Sequence, residues 1–364
     1  MTSKLKLLVT TGVISAAIMG ASSAAATTTA GTDITNTVNV NYQVGGVAQT
    51  QKTASDTFKV DRKIAFTVNE ATPTGTTTVT PGQTAQVTRF QVTNNSNDIL
   101  DFSLAASQLA SGGSAAHGGT DAFDVTGLQF FVDVNGNGTY EAGTDTATVI
   151  DNLAADGGNK YVFIVGDIPL SATNGQVAGV TLTGTALNSN GTAITAATDA
   201  TANSATTMET IFADTAKSGV GGTSAARDGI DVATDDYTVS AAVLSVYKSS
   251  TVISDGVSGS NPKAIPGAVV EYCISVANAA GGATATNISI SDLVPTNTTY
   301  SPGTIKVNGT VTSPGAGQTC SAGTAVTDAA DADAGSFASN TVSGTLANVA
   351  AGGSTALIFR VTIN

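Results

Sequence analysis

The chain has 364 residues, 11% of them charged, with 14 basic against 27 acidic side chains, 40 Gly and no Trp. A net charge of −13 excludes the basic surface on which affinity for phosphate backbones rests, so no nucleic-acid partner is expected. Thr, Ala, Gly, Ser and Asn dominate, yet Val, Ile, Leu and Phe return at strand-like intervals that a solvated disordered chain lacks, and the expected fold class is all-β: two immunoglobulin-like β-sandwich domains in tandem after a cleaved signal peptide.

Residues 1–26 carry Lys4 and Lys6, an apolar run from Leu7 to about Ala21 and the small residues Ala24, Ala25 and Ala26, the pattern of a secretory signal peptide. The run is shorter than the roughly 20 residues of a spanning helix. No second apolar stretch follows, so the mature chain is expected to lack a transmembrane segment and to be secreted, at the cell surface or outside the cell. Cleavage leaves 12 basic against 27 acidic residues, a net charge of −15.

A large N-terminal β-sandwich is expected over 27–187, from strands in TVNVNYQV, DTFKV, KIAFTV, AQVTRFQV, LDFSLAA, LQFFVDV, KYVFIV and GVTLTGTAL. Residues 188–236, rich in Ala, Thr, Gly and Asp, read as a long loop or linker. A second domain is expected over 237–364, from DDYTVSAAVLSVYK to a last strand with Leu357, Phe359, Val361 and Ile363 in alternation. The two domains share a phrase. TPGQTAQVTRFQVTN from Thr80 and IPGAVVEYCISVANA from Ile265 each run from a Pro-Gly turn through a strand to an Asn, 13 residues after Pro81 in the first copy and 12 after Pro266 in the second. The extra residue predicts a β-bulge near Thr88 and Arg89. In the second copy Val270, Tyr272, Ile274 and Val276 alternate with Glu271, Cys273, Ser275 and Ala277, which predicts one buried and one open face.

The stretch from about Ser240, with its Pro-Gly turn, the V-x-Y-x-I-x-V strand, NISISDLVP and YSPG, resembles the conserved repeat called domain of unknown function eleven, an immunoglobulin-like module of bacterial envelope proteins. The resemblance covers about the last third of the chain, residues 240–364. It implies a surface location and modular structural use, with no catalytic residues to carry over.

In DVNGNGTYEAGTD, oxygen-bearing side chains fall at Asp133, Asn135, Asn137, Glu141 and Asp145, around a glycine at Gly138. Calcium takes six to eight oxygens, and alternate positions of a tight loop supply them. The twelfth position of the loop is Thr144, not an acid, and the acid comes one residue later at Asp145. Two readings therefore stand: calcium as the one cofactor, or a hairpin whose glycines supply positive φ. Cys273 and Cys320, the only cysteines, are expected to form a disulfide outside the sandwich core.

An enzyme is not expected, and no catalytic residue is assigned. His117, the only histidine, sits in a glycine-rich loop and reads as a surface imidazole, and no G-x-S-x-G, H-E-x-x-H or phosphate-cradling motif occurs. Asp214, Asp228, Asp231, Asp235 and Asp236 read as a solvated acidic loop. The expected function is that of a noncatalytic surface or extracellular structural protein whose modules act as spacer or assembly units, partnered by other envelope or matrix proteins or by itself. The alternatives are a calcium-dependent adhesin and a filament subunit that adds TAGTDITNTVNVNYQV to a neighbour's sheet edge.

Overall fold

A computed structural model describes residues 27–72 and 75–364, and the expected leader lies outside them. Every regular element among the described residues is a β-strand, and the strands form two immunoglobulin-like sandwiches in tandem.

In the first sandwich one sheet runs Thr126–Val132, Gly158–Asp167, Gln86–Asn94, Phe66–Glu70. The other runs Val149–Leu153, Leu100–Gln108, Val177–Asn188, Ile230–Val239, Thr77–Val79. Their inner faces meet in one core that includes Val68, Phe90 and Ile164 from the first sheet and Phe102, Leu182 and Tyr237 from the second. Phe66 and Phe102 close the gap, ring centroids 4.9 Å apart. In the second sandwich the larger sheet has Leu244–Ser254, Val269–Asn278, Ser354–Ile363 and Lys306–Thr312 in that order, and faces a sheet of Ile288–Leu293, Thr341–Leu346 and Gly335–Ala338.

The domain boundaries differ from those expected. Residues 188–236 are a long loop of the first sandwich up to Ile230, not a linker: Thr210–Phe212 pairs with Arg62–Ile64, and Ile230–Val239 lies between two strands of the first sandwich, antiparallel to Val177–Asn188 and parallel to Thr77–Val79. DDYTV thus ends the first domain, and the second begins at Leu244. TVNVNYQV and DTFKV also fall outside the sandwich. They belong to a separate two-stranded ribbon, Asp33–Val40 paired with Lys52–Lys59.

The expected bulge is absent. Gln86–Asn94 pairs in unbroken register with both neighbours, and the extra residue is taken up before the strand at Ala85, whose φ is +53°. Thr88, Phe90, Val92 and Asn94 then face inward, so a threonine occupies a core position. The repeated phrase has a structural meaning in its closing asparagine. Buried Asn94 donates through Nδ2 to the carbonyls of Asp98 and Leu153, each at 3.0 Å. Asn278 does the same toward Ala283 and Val349 at 2.8 and 3.0 Å. In both sandwiches one amide ties the strand end to a nearby turn and to a distant segment, supplying partners that buried backbone carbonyls require.

The second face of Val269–Asn278 is not open. Cys273 and Ser275 are buried on the side away from the inter-sheet core, because the 313–321 segment folds across it. Gln318, itself buried, donates to the carbonyls of Tyr247 and Cys273, each at 3.1 Å, and a disulfide joins Cys273 to Cys320 beside it.

Candidate functional site

The Asp133 loop gathers all five residues singled out from the sequence, in two layers. Asp133 and Asp145 are buried, and every carboxylate oxygen accepts a backbone N–H: Gly136 and Gly138 donate to Asp133 at 2.7 Å each, Val134 and Glu141 to Asp145 at 3.0 and 2.8 Å. Asn135, Asn137 and Glu141 lie outside. Asn135 accepts from Asn137 N–H, Asn137 accepts from Thr139 N–H, and the Asn135 amide donates to Glu141 at 2.6 Å. Gly138, at φ +75°, turns the chain where a β-branched residue would be strained, and its carbonyl accepts from Arg89 at 2.8 Å. Lys160 reaches the carbonyls of Asp133 and Val134, not the carboxylates.

The N-terminal ribbon is the second feature. In its register Ile34 lies opposite Phe58, Asn36 opposite Asp56, Val38 opposite Ala54 and Val40 opposite Lys52, all on one face, which is apolar except for Asn36, Asp56 and Lys52. The other face pairs Thr35 with Thr57 at 2.8 Å, Thr37 with Ser55 at 3.1 Å and Asp33 with Lys59 at 2.6 Å. The polar face is satisfied internally, whereas the apolar side chains of the mixed face are bare: Val38 is 55% exposed and Phe58 48%. Each strand pairs only with the other, so both outer edges carry free backbone groups. A lone two-stranded ribbon is marginal in water, and bare apolar surface on one side marks a place for a partner.

The second sandwich also has an exposed edge. Leu244–Ser254 ends its sheet and is exposed almost throughout. Leu244 and Val246 lie in register with buried Asn278 and Val276, on the core-facing side, yet stay exposed because the smaller sheet does not reach over them. Lys248 bridges to Asp292 of the opposing sheet at 2.6 Å and lies over the Tyr272 ring.

The acidic segment differs from its reading as a solvated loop. Asp214, Asp231, Asp235 and Asp236 are buried, and of the five only Asp228 lies outside. Asp231 and Asp235 alternate with Ala233 and Tyr237 on the core-facing side of their strand, at the rim of the sandwich. Lys217 neutralises Asp231 at 3.0 Å. Asp235 meets His117 Nε2 at 3.3 Å, so the lone histidine lies at the surface, as read, but with a buried acid as its partner.

No family model matches the chain, and no curated protein matches it. Among solved structures, the C-terminal domain of the Streptococcus agalactiae AgI/II polypeptide BspA is 10% identical, with 83% of this chain and 91% of that one covered and a TM-score of 0.30. Collagen adhesin (CNA) from S. aureus is 13% identical over 84% of each chain, with a TM-score of 0.22. A putative membrane-anchored protein from Corynebacterium diphtheriae is 11% identical over 89% of this chain and 58% of that one, with a TM-score of 0.20. At such scores the likenesses carry no functional conclusion, and the fold stands on its own strand pairing.

Proposed function

We propose that the protein is a noncatalytic, exported surface module that associates with further copies of itself by strand addition. The N-terminal ribbon is the inserting element and the Leu244–Ser254 edge the receiving one. The observation that carries this reading is the ribbon, open along both edges and bearing bare Ile34, Val38, Val40 and Phe58 on one face, with eight residues per strand against eleven in the receiving strand. An arm on one copy and an edge elsewhere on the next make a heterologous contact, which propagates into an open filament unless the rotation closes it. The disulfide fits an oxidising compartment outside the cytoplasm. The resemblance of residues 240–364 to an envelope repeat agrees with a surface setting. A net charge of −15 opposes assembly at low ionic strength, so association should strengthen as salt screens it.

Electron microscopy and gel filtration of chain 27–364 test this directly. Concentration- and salt-dependent polymers are expected, and Ile34→Lys with Val38→Lys, which places two charges among those bare apolar side chains, should leave monomers with an unchanged melt. A chain that stays monomeric at every concentration and salt sinks the reading. So does a double variant that still polymerises.

A second reading, calcium in the Asp133 loop, rests on two buried carboxylates that share a loop in which no cationic side chain touches them, and it requires the ion to compete with the backbone N–H groups that now occupy all four oxygens. Under it, millimolar calcium raises the melting temperature, and Glu141→Gln, at the exposed rim, weakens the rise while leaving the calcium-free melt alone. Asp133→Ala is expected to cost about 1–2 kcal/mol with or without calcium, because it removes the acceptor of the Gly136 and Gly138 N–H groups, which lie where water can partly replace it. A melt indifferent to calcium returns the loop to a plain hairpin organised by its own acids.

A further inference from the structure

The geometry points to a zinc site at the rim of the first sandwich, formed by Glu70, His117 and Asp235 and independent of the assembly reading. These residues come from three separate segments: the end of strand Phe66–Glu70, the glycine-rich loop after Leu109, and strand Ile230–Val239. One ligand atom of each lies within 4.8 Å of the other two. The separation of 3.3 Å between His117 Nε2 and Asp235 Oδ1 already matches the roughly 3.4 Å edge of a tetrahedron with zinc bonds of about 2.1 Å. Glu70 has one oxygen held by the Thr72 N–H, which leaves the other for a ligand role.

The molecule supplies its own comparison. Asp231 and Asp235 enter the rim from the same side of one strand, four residues apart. Asp231 has a fixed cation, Lys217, at 3.0 Å. Asp235, with no exposed surface, faces instead an imidazole and a second carboxylate. Its oxygens accept from the Thr72 hydroxyl at 2.6 Å and the Asp236 N–H at 2.7 Å, so neither meets a cation fixed as Lys217 is on Asp231. Next to it, Asp236 accepts the backbone N–H of His117 at 2.8 Å and leaves its other oxygen buried without a partner. Glu70 and Asp235 thus face a single imidazole, an excess of negative charge that a divalent cation offsets. One imidazole and two carboxylates make a donor set that suits zinc, with a fourth position left for water.

Titration of metal-stripped chain 27–364 with zinc chloride, followed by calorimetry and by the visible spectrum of the cobalt-substituted form, tests the assignment. One equivalent is expected to bind, with a tetrahedral cobalt spectrum and a higher melting temperature for the zinc form. His117→Ala should abolish uptake, and Glu70→Gln should weaken it by at least about tenfold. Circular dichroism establishes that both variants are folded. Binding that survives His117→Ala overturns the assignment. So does a chain that ignores zinc but melts lower when His117 is replaced, the behaviour of an imidazole that only pins its loop to Asp235.

Discussion

A polypeptide spanning 27–236 is expected to lose the cooperative melt of the first sandwich, whereas one spanning 27–242 should fold alone. The difference is six residues, and three of them finish the strand Ile230–Val239. Tyr237 has no exposed surface and lies in the core, with its hydroxyl donating to the carbonyls of Gln86 at 3.1 Å and Ile164 at 3.2 Å, both in the opposite sheet. Thr238 and Val239 carry the pairing to Thr77–Val79, so the shorter chain also releases an edge strand. Removing a buried aromatic costs about 3–5 kcal/mol and a buried aliphatic somewhat less, before the lost pairing is counted. That approaches the whole stability of an ordinary domain, about 5–15 kcal/mol. Thermal melts by circular dichroism and the dispersion of amide NMR signals decide it. Equal melts for the two lengths would return the boundary to the position read from composition.

That boundary was hard to see in the sequence for a physical reason. A strand is recognised by apolar residues at every second position, and Ile230–Val239 offers Asp231, Ala233, Asp235, Tyr237 and Val239 on its inner face. Two of the five are acids, tolerated at the rim because Lys217, the Val68 N–H and Thr72 satisfy them. Those partners lie far along the chain, so local composition reported a solvated loop. The same limit hid His117, whose partner Asp235 is 118 residues on. Contacts within a few residues were legible. The Asp133 loop could be read as a unit because its two buried carboxylates and the N–H groups they accept all lie within residues 133–145, and the Pro-Gly phrase because turn, strand and Asn are contiguous. The ribbon lay between these cases: alternation in TVNVNYQV marks a strand, but nothing local tells whether its apolar side meets a core of its own or stays bare.

Replacing Cys273 and Cys320 by serine is expected to destabilise the second sandwich by about 4 kcal/mol, the chain-entropy value for releasing a loop between cysteines 47 residues apart. For a domain of this size the loss lowers its melting temperature by on the order of 10–20 °C, with the first sandwich unaffected. The bridge lies beside Gln318, whose amide ties the 313–321 segment to Tyr247 and Cys273 and whose carbonyl oxygen takes the Ser275 hydroxyl. Two outcomes can therefore be told apart. If the bridge acts only on the unfolded chain, the double serine variant keeps the segment in place and amide exchange near Gln318 accelerates no more than the global loss requires. If the bridge instead holds the segment down, those amides exchange by local opening well below the global free energy, and the outer face of Val269–Asn278 is uncovered without unfolding. The hydrogen bonds of Gln318 favour the first outcome, because both oxygen and nitrogen of its buried amide are engaged without help from sulfur. A double variant that melts with the native protein would refute the stabilising role altogether, and local opening at Gln318 would transfer the anchoring of this segment from the amide to the disulfide.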